Sequence, residues 1–284
     1  MELKNVIVGI DFSNSAMVAM RHAVAICIKT KANLHLVWVK SPSVSTSSEE
    51  YDEGKSFIHH IQDKMNEWVA LCKHESPETN VNSVFLEGKP HIEVNKYASN
   101  LPESMIVLGA HGASGFEEGY IGNNAYRMVN AADVPVLIMR ENIQINRDLH
   151  KIFVPIDCSF ETLQKMKLSI YLGKCFAAQL HLFGINYPND AQTRHIINVQ
   201  LRNAMEMCDE ANVRYVSSTF NVNDNNVCDT ILKYSKELDA NIITIMREEA
   251  ETDFTASRNM RQILSTSPMP LLIIPNKNAF TVGR

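Results

Sequence analysis

The 284-residue sequence contains no apolar run approaching the roughly 18 residues that a membrane-crossing helix needs, which excludes a bilayer span. Near the start, the apolar run Val6–Ile10 is too short for a signal-peptide core and stops at Asp11, so a cytoplasmic chain is expected. Basic residues are not in excess: 27 Lys and Arg stand against 32 Asp and Glu, a formal net charge of −5. Neither nucleic acid nor an anionic membrane is therefore an expected partner. The six cysteines include no Cys-x2-Cys and no pair at metal-ligand spacing, and most fall on apolar helical faces as reduced core thiols.

Several catalytic and binding signatures are missing as well. There is no Gly-x4-Gly-Lys-Ser/Thr and no Gly-x-Gly-x2-Gly. Ser114 is followed by Gly115 and Phe116, which breaks the nucleophile-elbow pattern. His59 and His60 are adjacent on a helix and point apart, so they do not form a metal pair. The run from Asn221 to Asn226 lacks the glycine and the glutamate of a calcium loop and reads as a turn. What remains is ordinary globular composition, 45% hydrophobic and 21% charged, at a length that suits two domains of about 140 residues.

Those two domains are copies of one unit. The segment from Asn5 to Ser13, Asn-Val-Ile-Val-Gly-Ile-Asp-Phe-Ser, is echoed by Lys-Ile-Phe-Val-Pro-Ile-Asp-Cys-Ser from Lys151 to Ser159. Ala-Asn-Leu-His-Leu from Ala32 is echoed at the same offset by Ala-Gln-Leu-His-Leu from Ala178. Each copy closes on a similar run, Val134-Pro-Val-Leu-Ile-Met139 and Met269-Pro-Leu-Leu-Ile-Ile274. The boundaries implied are residues 1–143 and 148–278, joined by a polar linker.

Within the first copy the hydrophobic period alternates between strand and helix. Val6–Ile10, Leu34–Val39, Val81–Leu86, Met105–Leu108 and Val134–Met139 are continuous apolar runs, the mark of strands buried on both faces. Between them, Ala16, Met20, Ala23, Val24 and Cys27 recur at helical spacing after possible caps at Ser13 and Ser15. Ile61, Met65, Trp68 and Cys72 mark a longer helix, Ile92–Ala98 a short one, and Ala125, Met128, Val129 and Ala132 a fourth. The serine-rich, acidic stretch from Ser41 to Gly54 reads as a loop. The alternation predicts an α/β fold: two tandem doubly wound, Rossmann-like domains, each a five-stranded parallel sheet flanked by helices.

In such a sheet ligands bind beyond the carboxyl ends of the strands, where strand order reverses. Candidate residues are then Ile10 and Asp11 after the first strand, Val39 (or Trp38, one register position away) after the second, and Leu108 with the loop that follows the fourth. That loop carries five glycines between Gly109 and Gly122, including Gly112, and also His111. Glycine at this density lets the backbone approach a ligand and aim N–H groups at it, ahead of a helix N-terminus that favours an anion. A side chain at Gly122 is expected to block that approach and to strain the local backbone.

The spacing Gly109-x2-Gly112-x9-Gly122 resembles the nucleotide-binding signature of the universal stress protein family. The flanks agree: Val-Gly-Ile-Asp11-Phe-Ser13, Gly88-Lys-Pro90, Ile-Val-Leu-Gly109-Ala-His111 and Pro135-Val-Leu-Ile. The resemblance covers nearly all of the first copy and, more weakly, the second. It implies ATP or another adenine nucleotide as ligand, with Mg2+ as a companion ion, and a role as a stress-response or regulatory sensor with a protein partner that the sequence does not name. On the same resemblance, Ile10 and Asp11 face the adenosine, Val39 the adenine edge, and Leu108, Gly109, His111, Gly112, Gly122, Asn123 and Asn124 the ribose and phosphates. Asn123 replaces the hydroxyl residue usual in that signature.

The second copy keeps Asp157 and Ser159 but runs from Met246 straight into Arg247-Glu248-Glu249, with no glycine signature. Like charges there oppose a phosphate, so the nucleotide is expected in the first copy only. The alternatives are a slow ATP-hydrolysing or adenylating enzyme of related fold, for which no catalytic residue is assigned, and a scaffold without ligand. Family members of single-unit length pair through their last strand. Here the two closing strands are expected to pair antiparallel within one chain as an intramolecular pseudo-dimer, and any homodimer would use another surface.

Overall fold

The computed structural model describes residues 2–41, 50–110, 121–140, 148–187, 190–221, 227–247 and 261–276. The first repeat runs β1 (Asn5–Ile10), α1 (Asn14–Thr30), β2 (Asn33–Lys40), α2 (Glu50–Glu75), β3 (Val81–Glu87), α3 (Pro90–Ser99), β4 (Ser104–Gly109), α4 (Asn123–Ala131) and β5 (Val136–Met139). The second runs β6 (Lys151–Ile156), a 3-10 turn at Thr162–Lys165, α5 (Met166–Phe176), β7 (Gln179–Asn186), α6 (Ala191–Glu210), β8 (Tyr215–Asn221), α7 (Val227–Glu237), β9 (Ile242–Met246), helical residues 261–266 and β10 (Leu271–Ile274).

All ten strands form one sheet in the order β3-β2-β1-β4-β5-β10-β9-β6-β7-β8. Within each repeat the pairing is parallel, so each half is the doubly wound unit that its alternating periods predict. The central strands are buried on both faces, which is why they read as unbroken apolar runs. The outer strands differ. Beyond the buried Val81, β3 alternates half-buried and exposed positions, and β8 exposes Val216, Ser217, Ser218 and Thr219 in succession.

Helices cover both faces. α1, α2, α5 and α6 bury Met20, Met65, Trp68, Leu172 and Leu201 on one side. On the other, α3, α4, α7 and residues 261–266 bury Val94, Met128, Ile231 and Leu264. Local signals set the boundaries. The Ser13 side chain accepts the Ala16 N–H at 3.2 Å as N-cap of α1, and Lys31 ends that helix in the left-handed region at φ 61. Pro90 opens α3, where its missing N–H costs nothing.

The acidic stretch expected as loop through Gly54 is corrected in part, since α2 begins at Glu50. Glu and Lys are good helix formers, so polarity there does not mean loop. β5 and β10 also begin later than expected, at Val136 and Leu271. Pro135 and Pro270 precede them, and each still gives its carbonyl to the ladder, accepting from the Ile106 and Ile243 N–H at 2.9 and 3.0 Å.

The two repeats meet where β5 and β10 pair antiparallel, with Leu272 opposite Leu137. Parallel bonds to the neighbouring strands make those leucines equivalent positions: Ala110 N–H donates to Met139 and Arg247 N–H to Ile274, both at 2.7 Å. A pseudo-two-fold axis therefore passes through the Leu137–Leu272 pair. On one face α1 meets its counterpart α5; there His22 lines a cavity of about 240 Å³ with Leu172 and Phe176.

Leu272 is fully buried at this axis. Leu272→Ala is expected to lower the unfolding free energy by about 2–5 kcal/mol in denaturant titration; a loss below about 0.5 kcal/mol would mean that the junction is not a packed core. His22 yields a pH signature. Burial lowers its pKa from 6.5 to about 4. The unfolded chain therefore binds a proton that the folded chain refuses, and stability present above pH 6.5 is lost as pH falls toward 4. The expected slope is about 1.4 kcal/mol per pH unit, flattened in His22→Leu. An unchanged slope in that variant would assign the acid sensitivity elsewhere.

Candidate functional site

The larger cavity, about 620 Å³, opens at the carboxyl ends of β1, β2 and β4. This is where strand order reverses in the first repeat, because β1 pairs β2 on one side and β4 on the other. Its floor is strand: Gly9 and Ile10 from β1, Val37, Trp38 and Val39 from β2, Leu108 and Gly109 from β4. α3 contributes Pro90, His91 and Val94, and α4 contributes its N-terminal residues from Asn123 to Tyr126. Arg261 and Ser265 reach it from the second repeat.

Of the residues expected from sequence, Ile10, Asp11, Val39, Leu108, Gly109, Gly122, Asn123 and Asn124 all line this one cavity. His111 and Gly112 lie outside the described residues, as do Glu248 and Glu249 of the second repeat. Trp38 and Val39 both line the cavity, so the one-residue ambiguity at the end of β2 concerns which backbone edge a ligand meets.

Asp11 has a local task as well. Its Oδ1 accepts the Ser13 N–H at 3.0 Å and the Ser13 hydroxyl at 2.6 Å, while Ser13 caps α1. The carboxylate thus fixes the sharp turn at Phe12, which lies at φ 61. The hydrogen bond recurs in the second repeat, where Asp157 Oδ1 accepts the Ser159 N–H at 2.8 Å, but Cys158 between them does not share the left-handed conformation of Phe12. The Asp-x-Ser echo is therefore a turn device in both repeats.

Glycine is required at Gly109 for a reason of space. A Cβ there would sit 2.7 Å from the Ser15 backbone carbon, so α1 can cross β4 this closely only without a side chain. Gly88, at φ 141, makes the turn that brings Lys89 and Pro90 to the start of α3. Gly122 is different. It is the N-cap of α4 with φ −62 and ψ 144, ordinary extended backbone, so the strain expected there is corrected.

Electrostatically the site is sparse. Among the described lining residues, Asp11 is the carboxylate and Arg261 the cation. The His91 pKa lies below the ordinary imidazole value, through burial first and the charges of Arg127 and Lys89 next, which keeps the ring neutral near pH 7. Its Nδ1 is buried without a hydrogen-bond partner. α4 contributes the first-turn N–H groups, which the Gly122 cap leaves without a side-chain acceptor, and the positive end of its dipole. The combination suits an apolar, planar group against β2 and an anion near Asn123.

The second repeat fills the corresponding space with its own side chains. The matched strand registers place Phe183 where the first repeat has Val37. Phe183 is buried and stacks on Phe220 at 4.3 Å, with Tyr234 and Phe153 against it. Met246 takes the position of Gly109, and the segment facing it is a 3-10 turn rather than the start of an α-helix. Thr162 and Lys165 take the positions of Ala16 and Ala19. Lys165 is fully buried, its Nζ donating to the Thr162 hydroxyl at 3.1 Å and lying 3.8 Å from Asp157. Arg247 does not face this space: its guanidinium donates to the carbonyls of Val129 and Ala132 at the end of α4.

Sequence reasoning missed His91, Tyr126, Arg261 and Ser265 at the open cavity. His91 adjoined a quoted flank, Gly88-Lys-Pro90, and could have been found there. Arg261 and Ser265 carry no local signal, because only the pairing of β5 with β10 brings them over α4.

Residues 2–140 match the family model of the universal stress protein family. The chain is 24% identical over 149 residues to a universal stress protein of Methanocaldococcus jannaschii, covering 49% of this chain and 82% of that protein. It is 26% identical over 143 residues to one from Bacillus subtilis, covering 47% of this chain and 97% of that protein. The crystal structure of a universal stress protein from Archaeoglobus fulgidus superposes over 96% of this chain and 97% of its own, with a TM-score of 0.74 at 15% identity. That last likeness is one of fold, and it extends through both repeats.

The close crossing of α1 over β4 supplies a test. Gly109→Ala is expected to lower stability by about 1–3 kcal/mol, read by denaturant unfolding, because the added methyl pushes on the Ser15 backbone as well as on its side chain. A neutral or stabilising result would mean that the crossing is looser than the geometry says.

Proposed function

We propose that this chain, which belongs to the universal stress protein family through residues 2–140, binds one adenine nucleotide in its first domain and uses occupancy as a regulatory signal. ATP is the expected form, with Mg2+ as companion. The observation that supports this most is the gathering of eight separately expected residues around one cavity of about 620 Å³ beside the N-terminus of α4. That volume lies within the range of small-ligand sites.

Each group has a role in this reading. The backbone of Val39 or Trp38 meets the adenine edge, and the Val37, Val94 and Leu108 side chains give its apolar surroundings. Asp11 faces the adenosine at its ribose. Backbone N–H groups at the start of α4, with the Asn123 amide, receive the phosphates, and Gly109, His111, Gly112 and Gly122 shape the loop around them. We assign residues 1–143 to this binding domain and residues 148–278 to a second domain whose pocket is closed by Phe183, Met246 and Lys165.

A sensor rather than an enzyme fits these groups better. Fast phosphoryl transfer needs a positioned base or water-orienting residue. Asp11, the carboxylate among the described lining residues, is tied into its own turn.

Calorimetric titration of the full chain with ATP and Mg2+ tests the reading. The expected stoichiometry is one nucleotide per chain, with the nucleotide recovered unhydrolysed after release. Two equivalent sites, or none, would overturn it. Rapid release of ADP would favour the enzyme.

A further inference from the structure

The second repeat has closed its own pocket, yet it places two residues at the mouth of the first repeat's. Arg261 and Ser265 stand one helical turn apart on residues 261–266, and both line the larger cavity. The Arg261 guanidinium lies 4.6 Å from the centroid of the Tyr126 ring, in the first turn of α4. That Tyr126 phenol is held below its ordinary pKa by hydrogen bonds, with Asn130 first and Arg261 after it, against the opposing effect of burial.

The juxtaposition follows from the sheet. The equivalence of Met139 with Ile274 makes Arg261 the counterpart of Tyr126, so the pseudo-axis brings equivalent positions of the two repeats face to face. Two further arginines fix the helices involved. Arg140, just after β5, donates to the carbonyls of Leu264 and Ser265, and Arg247, just after β9, donates to those of Val129 and Ala132. Each repeat thus grips the C-terminal end of the other's helix. The helix bearing Arg261 is held in place over the N-terminal turn of α4.

We propose that Arg261 is the cation that receives the anionic end of the ligand in the first repeat, so that the site is completed across the repeat boundary. This rests on the reading of the cavity as an adenine-nucleotide pocket and specifies it: the ligand carries phosphate, and the second repeat senses that phosphate. Among the described lining residues Arg261 is the cation, so the phosphates have no competing side-chain partner of that charge there. A planar guanidinium offers paired N–H donors to phosphate oxygens, and its position beside a helix N-terminus adds to the same field. Neutral adenosine draws nothing from it. The contact ties occupancy to the packing of the two repeats, because the residue that binds the ligand is borne on the helix that Arg140 anchors.

The test is calorimetric titration of the full chain with ATP and, separately, with adenosine, in the wild type and in Arg261→Met and Arg261→Lys. Arg261 is exposed, and circular dichroism melts check that each variant keeps its fold. Arg261→Met is expected to weaken ATP about tenfold or more while leaving adenosine affinity unchanged, and Arg261→Lys to restore part of the loss. ATP binding by Arg261→Met at wild-type strength would overturn the role of Arg261 and leave the pocket standing. Equal losses for ATP and adenosine would also overturn it, by showing that the arginine acts through packing alone. A wild-type chain that binds neither ligand would overturn the pocket itself.

Discussion

Two short apolar strands, each the edge of its own sheet, have to be covered, and the covering of one by the other determines the arrangement of this protein. β5 and β10 carry four residues each and are buried along their whole length. Left open, each would present unpaired backbone groups on an apolar template. Tethering the partners in one chain makes the pairing intramolecular at an effective concentration on the order of millimolar. Once Leu137 meets Leu272, the rest of the boundary is fixed in register. α1 meets α5 on one face, and α4 meets residues 261–266 on the other.

The repeats share a fold and differ in what they do with the space at their strand ends. The first leaves it open by using small residues: Gly9, Gly109, Ala16 and Val37. The second uses Pro155, Met246, Thr162 and Phe183 at the matching positions and adds a buried lysine with its own carboxylate and hydroxyl partners. A buried ammonium is tolerated only with such partners. The second repeat's closure is thus as fully built as the first repeat's cavity, and it leaves that repeat free for a structural task at the boundary.

How much of this the sequence discloses depends on how local the cause is. The inner strands are legible because burial on both faces leaves runs such as Val6–Ile10 with no polar break. The site is legible where glycine spacing reports close backbone approach, as at Gly109. The start of α2 is hidden because its first residues are as polar as a loop. The exchange of Val37 for Phe183 is invisible to hydropathy, although the difference in volume decides whether a cavity exists. Arg247 reads as part of a charged, phosphate-repelling run, and only the fold turns it onto the carbonyls ending α4. Arg261 lies more than a hundred residues from the loop it joins, and no periodicity connects them.

The order of strands also decides what the protein shows to its neighbours. By putting β5 and β10 in the middle, the chain leaves β3 and β8 as the two ends of its sheet. These are its most polar strands, with Asn82, Ser83 and Glu87 on one and Ser217, Ser218 and Thr219 on the other. The apolar borders are sealed inside, and the outer borders interrupt their apolar residues, such as Phe85 and Val216, with polar ones. Growth by strand addition, which an apolar border invites, is disfavoured along those polar stretches.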